Sequence, residues 1–299
     1  MIVTAIVIST NKLTKYYGKN LGIENLSLKV NEGEIFGFLG PNGAGKSTTI
    51  KLLLNFIKPT SGTASVFGIN PETNVLEINK NIGYLPGEVH MYDQLTGEGH
   101  LKFQAELHND VDWKYVEGLK KRLQAEFKKP IKALSHGNKQ KIALIGALMN
   151  QPKLLILDEP TTGLDPLIQQ EFYKILDEVN KAGTTIFISS HILPEVERVC
   201  DRVAIIRDGK LVLTEEINTL KNKATRPVEV FFVTKPIKED FDEIPEISDL
   251  SIEGNILRCI IQGSYDKFLK AVAKYEVSNL ITQEPNLEKI FLDYYKGDK

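Results

Sequence analysis

The chain has 299 residues, of which 42% are hydrophobic and 25% are charged, and its formal net charge is -2. This composition is ordinary for a globular protein of one or two domains, and the charge gives no basic field that would favour nucleic acid. No apolar run approaches the roughly 18–20 residues needed to cross a bilayer, and the two cysteines lie far apart, outside any metal-ligand spacing.

The first predicted element is a strand in the apolar segment at residues 1–8. This segment is short and lacks a leading positive charge and a small-residue cleavage site, so we interpret it as an edge strand rather than a signal peptide. Beyond it, strand-like apolar runs alternate with helical segments up to about residue 215, which is the pattern of an α/β domain.

A glycine-rich segment at residues 40–47 lies between a predicted buried strand and a predicted helix. Its pattern, G-x-x-x-x-G-K-[ST], is that of a P-loop, in which backbone N–H groups and a helix N-terminus face phosphate oxygens. Lys46 is expected to reach the β- and γ-phosphates of a nucleotide, and the Ser47 hydroxyl to ligate Mg²⁺. The predicted phosphate-binding residues are Gly40, Pro41, Asn42, Gly43, Ala44, Gly45, Lys46, Ser47 and Thr48.

Residues 98–148 have a mostly helical pattern with no good strand, and they predict a helical insertion in the α/β domain. Between Lys120 and Lys141, eight Lys and Arg side chains stand against a single acid, Glu126. A solvated helical face is the simplest interpretation, and attraction to anionic lipid headgroups or to an acidic partner is the alternative.

Four aliphatic residues at 154–157 precede Asp158 and Glu159. A continuous aliphatic run is typical of a parallel strand buried on both faces, and such a strand would end beside the P-loop. Asp158 is then expected to hold Mg²⁺ through water, and Glu159 to polarise an attacking water as a general base. Two acids that only cap the turn at Pro160 are the structural alternative.

The α/β region is predicted to close with a helix at about 169–181, a buried strand at 184–190 and a hairpin at 203–213 whose turn is Asp208 and Gly209. A second unit begins near Lys221, and Arg226 and Pro227 are expected to break the chain there. Its predicted elements are strands at 228–233, within 247–262 and at 277–282, a helix capped by Ser264, and a last helix with Leu287, Ile290, Phe291 and Tyr294 on one face.

Residues 134–140 carry the first sign of a known family. Leu134, Ser135, Gly137 and Gln140 match the signature sequence of the ATP-binding cassette (ABC) family, which is typically LSGGQ, and they precede an apolar helix. The chain therefore resembles an ABC protein, in which this helix N-terminus forms a second anion cradle that contacts the γ-phosphate held by the other subunit. A serine that only caps its helix is the alternative.

Three further segments resemble ABC motifs in the family's order. Residues 160–166, with Asp165, look like the D-loop that links the two active sites of a dimer, and residues 189–191 look like the switch motif, in which His191 touches the γ-phosphate. Tyr17 is similar to the aromatic residue that stacks on adenine, and the adjacent Tyr16 is the alternative. With these, six motifs lie in the family's order, and the resemblance covers residues 12–215.

The sequence departs from the ABC pattern in the signature and in one loop. His136 and Asn138 depart from the family's signature mainly in their side chains, whereas the anion cradle depends on the backbone. The cradle is therefore expected to survive, with Ser135, Gly137 and Asn138 as nucleotide contacts. The family usually carries a metal-binding Gln after a strand such as residues 82–86, and here that position is Gly87. The following residue, Glu88, is the candidate for the metal role through a carboxylate oxygen, and a Gly87 that only gives the loop mobility is the alternative.

The resemblance implies an α/β P-loop NTPase core of the ABC type at residues 1–219, with a helical subdomain at about 88–148. Residues 220–299 are similar to the small α+β domain that follows the core in ATPase subunits of type-2 ABC exporters. The implied cofactors are ATP and Mg²⁺. The implied partners are a second nucleotide-binding subunit, with a homodimer favoured, and integral membrane permease subunits, which would hold the protein at the cytoplasmic face of the membrane.

The expected function is ATP hydrolysis by Lys46, Glu159 and His191, with dimer closure driving export through the membrane subunits. A soluble ABC ATPase acting on DNA or ribosomes usually carries long coiled-coil insertions or two cassettes, and this chain has neither. A regulatory module without turnover is disfavoured because Glu159 and His191 are both present. The transported substrate stays unassigned, because membrane subunits recognise it.

Overall fold

Two units make up the computed structural model, which describes residues 5–107, 111–223 and 225–282. The first unit is residues 1–214 and the second is residues 215–299. The domain boundary predicted between residues 219 and 220 falls inside a helix of the second unit, at Ile217–Lys223.

The first unit begins with strands and continues with alternating helices and strands. Its early elements are β1 (Ile6–Tyr17), β2 (Asn20–Leu26), β3 (Lys29–Asn31), β4 (Ile35–Leu39), α1 (Lys46–Leu53), β5 (Ser61–Val66), α2 (Pro71–Asn79) and β6 (Ile82–Leu85). Its later elements are α3 (Gly97–Ala105), α4 (Trp113–Leu123), a 3-10 turn (Ile131–Ala133), α5 (His136–Leu148), β7 (Leu154–Asp158), α6 (Pro166–Lys181), β8 (Thr185–Ser190), α7 (Leu193–Val199), β9 (Arg202–Arg207) and β10 (Lys210–Glu216).

A six-stranded sheet in the order β10-β9-β4-β8-β7-β6 positions the site. The pairs β9–β4, β4–β8, β8–β7 and β7–β6 are parallel, and every residue of β4, β7 and β8 is buried. This confirms the strands predicted from the aliphatic runs, because parallel strands covered on both faces need apolar residues on both. The predicted hairpin is also present, with Asp208 and Gly209 both at positive φ, as a tight hairpin turn requires.

A second sheet of the first unit is antiparallel, and the simple alternation of strands and helices did not predict it. In this sheet β1 pairs with β2, β3 and β5. The strand predicted at residues 1–8 begins at Ile6 and continues to Tyr17, and residues 1–4 lie outside the described part of the chain. The prediction that it is an edge strand is wrong, since Ile8 pairs both with Val30 of β3 and with Val66 of β5. The physical reason is that β1 has partners along its whole length, so pairing extends it through the polar residues that follow Ile8.

The helical insertion consists of α3, α4, the 3-10 turn and α5. Arg122 near the end of α4 attaches it to α6: its Nε donates to Glu171 at 2.6 Å, and its two terminal nitrogens donate to the two carboxylate oxygens of Glu178 at 2.5 and 2.9 Å. Part of the basic charge between residues 120 and 141 is therefore paired with acids of the core rather than only solvated.

The second unit is an antiparallel sheet with helices. Its described elements are α8 (Ile217–Lys223), β11 (Thr225–Phe232), α9 (Glu239–Asp242), β12 (Ile247–Glu253), β13 (Ile256–Gln262), α10 (Asp266–Val272) and β14 (Val277–Thr282), and the strand order is β12-β13-β11-β14. The core includes Phe232, Phe241 and Phe268.

The break expected at Arg226 and Pro227 is wrong, since both residues lie inside β11. Pro227 is opposite Ile260 of β13, whereas β14 begins to pair with β11 only at Val228 in the described residues, and proline is tolerated where a strand lacks a second neighbour. The helix predicted from Leu287 lies outside the described residues.

Candidate functional site

The P-loop follows β4 and leads into α1, as the sequence predicts. Gly45 is the N-cap of α1 with φ of 109°, a conformation that favours glycine. A Cβ at Gly45 would lie 2.6 Å from Cγ2 of Ile23 and 2.7 Å from the carbonyl oxygen of Gly22. The loop therefore packs on β2 at a distance that only glycine permits, and no side chain caps the first N–H groups of α1. Those N–H groups are the phosphate donors expected from the motif.

Lys46, Glu159 and His191 meet in one chain of contacts. The Lys46 Nζ donates to the carbonyl oxygens of Gly40 at 2.7 Å and Pro41 at 3.1 Å, and it lies 3.1 Å from Oε1 of Glu159. The other carboxylate oxygen, Oε2, is 2.7 Å from Nδ1 of His191. The structure thus brings together the three residues predicted to be catalytic, with Glu159 in the centre. Lys46 is only 5% exposed and Glu159 19%, so their attraction is screened less than that of a surface pair.

The ends of β7 and β8 hold these residues in place. Asp158 is opposite Ser189 in the parallel ladder, and the Ser189 hydroxyl donates to Asp158 Oδ1. Glu159 has a φ of 51°, and its N–H donates to the carbonyl oxygen of Ser189 at 3.2 Å. A left-handed backbone conformation is uncommon for residues other than Gly, Asn and Asp. Here it turns the chain sharply after the strand.

Gly87 lies against Asp158, and Glu88 does not. A Cβ built on Gly87 would be 3.3 Å from Asp158 Oδ2, so position 87 faces the carboxylate directly. The Glu88 side chain is 92% exposed, and its Oε2 lies 3.8 Å from Nε2 of His90. The structure therefore does not bring Glu88 to the Asp158 side chain, because the chain passes Asp158 with its backbone at position 87.

Tyr17 lies at a cleft of about 260 Å³ beside the P-loop. A Cβ on Gly22 would lie 3.0 Å from the Tyr17 ring, so the ring packs on the backbone there, and it is 46% exposed. The adjacent Tyr16 instead donates its hydroxyl to Glu24 at 3.1 Å. The residues that line the cleft are Tyr17, Leu21, Gly22, Asn42, Gly43, Gly45, Lys46, Ser47, Thr48 and Glu159.

Ser135 and Asn138 organise the start of α5. Ser135 is its N-cap and accepts from the Asn138 N–H at 3.3 Å. The Asn138 side chain binds the backbone of Glu126 twice, accepting from its N–H at 2.8 Å and donating to its carbonyl oxygen at 2.9 Å. The structure shows the Asn138 amide joining α5 to the segment after α4, and the nucleotide contact of this residue stays a prediction.

The signature segment also touches the segment predicted as the D-loop. A Cβ on Gly137 would lie 2.5 Å from the carbonyl oxygen of Gly163, and a Cβ on Gly163 would lie 2.5 Å from the His136 ring. Asp165 caps α6 by accepting from the Ile168 N–H at 3.1 Å. The residues lining the cleft around Lys46 include none of Ser135, Gly137, Asn138 and Asp165 in the described chain.

Sequence reasoning missed Glu195. It lies on α7, is only 7% exposed, and accepts hydrogen bonds from the hydroxyl groups of Thr161 and Ser190. In the sequence, an acid on a short helix is most simply interpreted as a surface charge. The one signal for a buried polar cluster is the pair of serines at 189 and 190, at the end of a buried strand. No group of three or more His, Cys, Asp or Glu that could hold a metal occurs in the described ranges. In the same ranges, no helix is long and apolar enough to span a membrane.

Comparisons with known proteins identify relatives of this chain. The family model for ABC transporters matches residues 23–162. The bacitracin transport ATP-binding protein BcrA of Bacillus licheniformis is 41% identical over 229 residues, which are 75% of this chain and 74% of BcrA. The linearmycin resistance ATP-binding protein LnrL of Bacillus subtilis is 30% identical over 303 residues, which cover 96% of this chain and 97% of LnrL.

Solved structures of the same kind share the fold. The structure of an ATP-binding subunit of an ABC transporter is 29% identical and matches 72% of this chain and 92% of its own, with a TM-score of 0.66. The dimeric structure of the bacterial ABC transporter cassette MJ0796 is 25% identical and matches 70% of this chain and 98% of its own, with a TM-score of 0.64.

Proposed function

Because this chain belongs to the ABC transporter family and is an ATP-binding, ATP-hydrolysing subunit of it, we propose that it powers the export of an antibiotic-like compound through separate membrane subunits. The likeness to LnrL over nearly the whole of both chains supports this cargo class, as does the likeness to BcrA. The protein would then act at the cytoplasmic face of the membrane, held there by those subunits.

The contact chain from Lys46 through Glu159 to His191 is the observation that carries the hydrolytic role. A γ-phosphate bound at the P-loop would compete for the Lys46 ammonium and the His191 ring, both of which now contact the Glu159 carboxylate. Glu159 would then be left free to accept a proton from the attacking water. Phosphoryl transfer of this kind depends mainly on positioning and charge stabilisation, which preformed donors provide.

Ser47 and Asp158 fit a magnesium ion. Their hydroxyl and carboxylate oxygens are the hard ligands Mg²⁺ prefers, and Mg²⁺ usually takes one or two protein ligands beside phosphates and waters. Ser47 is exposed in the P-loop cleft, whereas Asp158 is 3% exposed and faces Gly87. Bound there, Mg²⁺ would neutralise phosphate charge. The Gly87 backbone leaves the metal without the usual glutamine side chain, and the structure offers no support for Glu88 in that place.

Two copies of the chain would close head-to-tail around two nucleotides, each P-loop facing the Ser135 helix terminus of the other copy. The dimer of the similar MJ0796 cassette supports this arrangement. The position of Ser135 and Gly137 away from the Lys46 cleft supports it too, because a signature segment that served its own P-loop would have to line that cleft. ATP would favour the closed dimer through contacts from both copies, and hydrolysis would release it.

The test compares ATPase rate and oligomeric mass for wild type, Glu159→Gln and Lys46→Ala, with and without Mg-ATP. We expect wild-type turnover, binding without turnover and a trapped ATP-dependent dimer for Glu159→Gln, and weakened nucleotide binding for Lys46→Ala. Glu72→Gln on the exposed start of α2 is the matched control and should behave as wild type. Near wild-type hydrolysis by Glu159→Gln would refute its role as the general base. Binding without turnover or dimerisation in the wild type would favour a regulatory module.

A further inference from the structure

Glu195 is a buried carboxylate on α7 with two hydroxyl donors. Its Oε1 accepts from Oγ1 of Thr161, and its Oε2 accepts from Oγ of Ser190 at 2.8 Å. All three side chains are almost inaccessible, with exposures of 7% for Glu195, 4% for Thr161 and 0% for Ser190. One side chain therefore joins the loop after β7, which contains Thr161, to the end of β8, where Ser190 is the last residue before the loop of His191.

Those two loops carry the reacting groups. Thr161 follows Glu159 by two residues, and Ser190 directly precedes His191. The Ser190 hydroxyl also accepts from the Ile192 N–H at 2.9 Å, so the backbone is fixed on both sides of His191. The 2.7 Å contact between Glu159 and His191 depends on the relative position of the same two loops.

Burial of a carboxylate is costly, so an acid at this position needs an explanation. An apolar side chain would fill the same space without the desolvation penalty of a buried carboxylate. The charge of Glu195 also affects a neighbouring residue. Burial of the Tyr173 hydroxyl, and then the negative charge of Glu195, raise the pKa of Tyr173 to about 12. The Arg198 guanidinium lies 4.7 Å from the centre of that ring. The two hydrogen bonds from hydroxyl groups offset the desolvation only while both loops keep their positions.

We propose that Glu195 is a positioning residue for ATP hydrolysis, which holds the loop of Glu159 and the loop of His191 in register through Thr161 and Ser190. This inference rests on the proposed function of the same site. Glu195 does not line the P-loop cleft, so it acts through the two loops and not on the nucleotide. Displacement of a reacting group by about 1 Å can cost on the order of 100-fold in rate, which leaves room for a large effect from a residue that contacts no substrate.

The variants separate position from packing. In Glu195→Ala both hydroxyl groups lose their acceptor, and we expect kcat to fall about 10- to 100-fold while the affinity for ATP stays within about twofold. Glu195→Gln keeps one acceptor oxygen and offers an N–H to the other hydroxyl, so it should restore most of the rate. Thr161→Val should lower kcat by itself and add little in the Glu195→Ala background, since it removes one of the same two bonds. Glu72→Gln on the exposed start of α2 is the control and should leave kcat unchanged.

The measurements are kcat and KM for ATP, binding of ATP to the full chain, and amide hydrogen exchange at residues 158–165 and 188–192. Faster exchange in both segments of Glu195→Ala, reversed in Glu195→Gln, would support the link between the loops. Unchanged exchange, an unchanged kcat, or a joint loss of ATP affinity, melting temperature and kcat without rescue by Gln would each overturn the proposal. If the wild type does not hydrolyse ATP, the proposed function fails, whereas the exchange experiment still decides whether Glu195 holds the two loops.

Discussion

Replacement of Asn138 by alanine tests the connection between α5 and the segment after α4. The wild-type amide makes two hydrogen bonds to the Glu126 backbone, at 2.8 and 2.9 Å, and both are partly buried. Alanine would leave the Glu126 N–H and carbonyl oxygen without these partners. The helix cap would remain, because Ser135 accepts from the backbone of residue 138 and not from its side chain.

The cost follows from these contacts. Each bond contributes about 1 kcal/mol, so their loss amounts to about 2 kcal/mol. Alanine is a better helix former than asparagine by about half a kcal/mol, and water can reach part of the exposed backbone, so the net loss is about 1–2 kcal/mol. For a folded unit of this size, a loss of 1 kcal/mol lowers the melting temperature by about 2–4 °C. The expected fall is therefore about 2–8 °C.

Thermal unfolding followed by calorimetry measures this fall. Asn81→Ala is the control, because within the described residues the Asn81 side chain makes a single hydrogen bond, which is exposed and donates to the Glu77 carbonyl oxygen at 3.2 Å. Its melting temperature should stay within about 1–2 °C of wild type. Equal melting temperatures for Asn138→Ala and Asn81→Ala would refute the reasoning. Hydrogen exchange gives a local check, since the Glu126 amide should exchange faster in Asn138→Ala alone.

Three further predictions concern the P-loop and the contact between α4 and α6. Gly45→Ala should abolish nucleotide binding in a titration, because its Cβ would lie 2.6 Å from Ile23 at a φ of 109°. Arg122→Lys keeps the charge but loses the paired bonds to Glu178, so it should destabilise the chain by about 1–2 kcal/mol in urea, and less in 1 M salt. The Arg122 hydrogen bond holds the pKa of Glu171 below its ordinary value. The stability that this pair contributes, measured against Glu171→Gln, should therefore be full at neutral pH and disappear as the pH falls from about 4.3 through the lowered folded-state pKa.

Each of these predictions has a contrary outcome. Wild-type nucleotide affinity in Gly45→Ala would show that the loop relaxes away from Ile23. Lys181→Ala removes an exposed pair with Asp177 and serves as control for Arg122→Lys, and an equal loss in both would mean that the Arg122 geometry adds nothing. A stability difference for Glu171→Gln that grows in acid would contradict the lowered pKa.

The sequence predicted those parts of the fold that depend on local pattern. The P-loop lies between β4 and α1 because its glycines and the flanking apolar runs leave few other conformations, and β7 and β8 are buried because every residue in them tolerates burial. The antiparallel pairing of β1 with β5 escaped prediction, since β5 is polar and gains its structure from its partner.

The site shows a similar division. The contact of Lys46, Glu159 and His191 follows from three strand and loop ends that a parallel sheet must bring to one edge. The partners of the Asn138 and Glu88 side chains could not be predicted, because a motif gives a place in the chain and not a hydrogen-bond partner. Asn138 binds the Glu126 backbone, and Glu88 is exposed to solvent. The role of Glu195 could not be found from sequence, since one of its two donors, Thr161, lies 34 residues away.

The contact between Gly137 and Gly163 means that substitutions at these two distant positions depend on each other. A side chain at position 137 would collide with the Gly163 carbonyl oxygen, and a side chain at 163 would collide with the His136 ring in a backbone conformation that already favours glycine. Neither glycine can be replaced by itself. A substitution at one of them would require the facing loop to shift first. Exchange of either segment between related proteins should succeed only when both are transferred together, and the shape of one loop is thus inherited with the shape of the other.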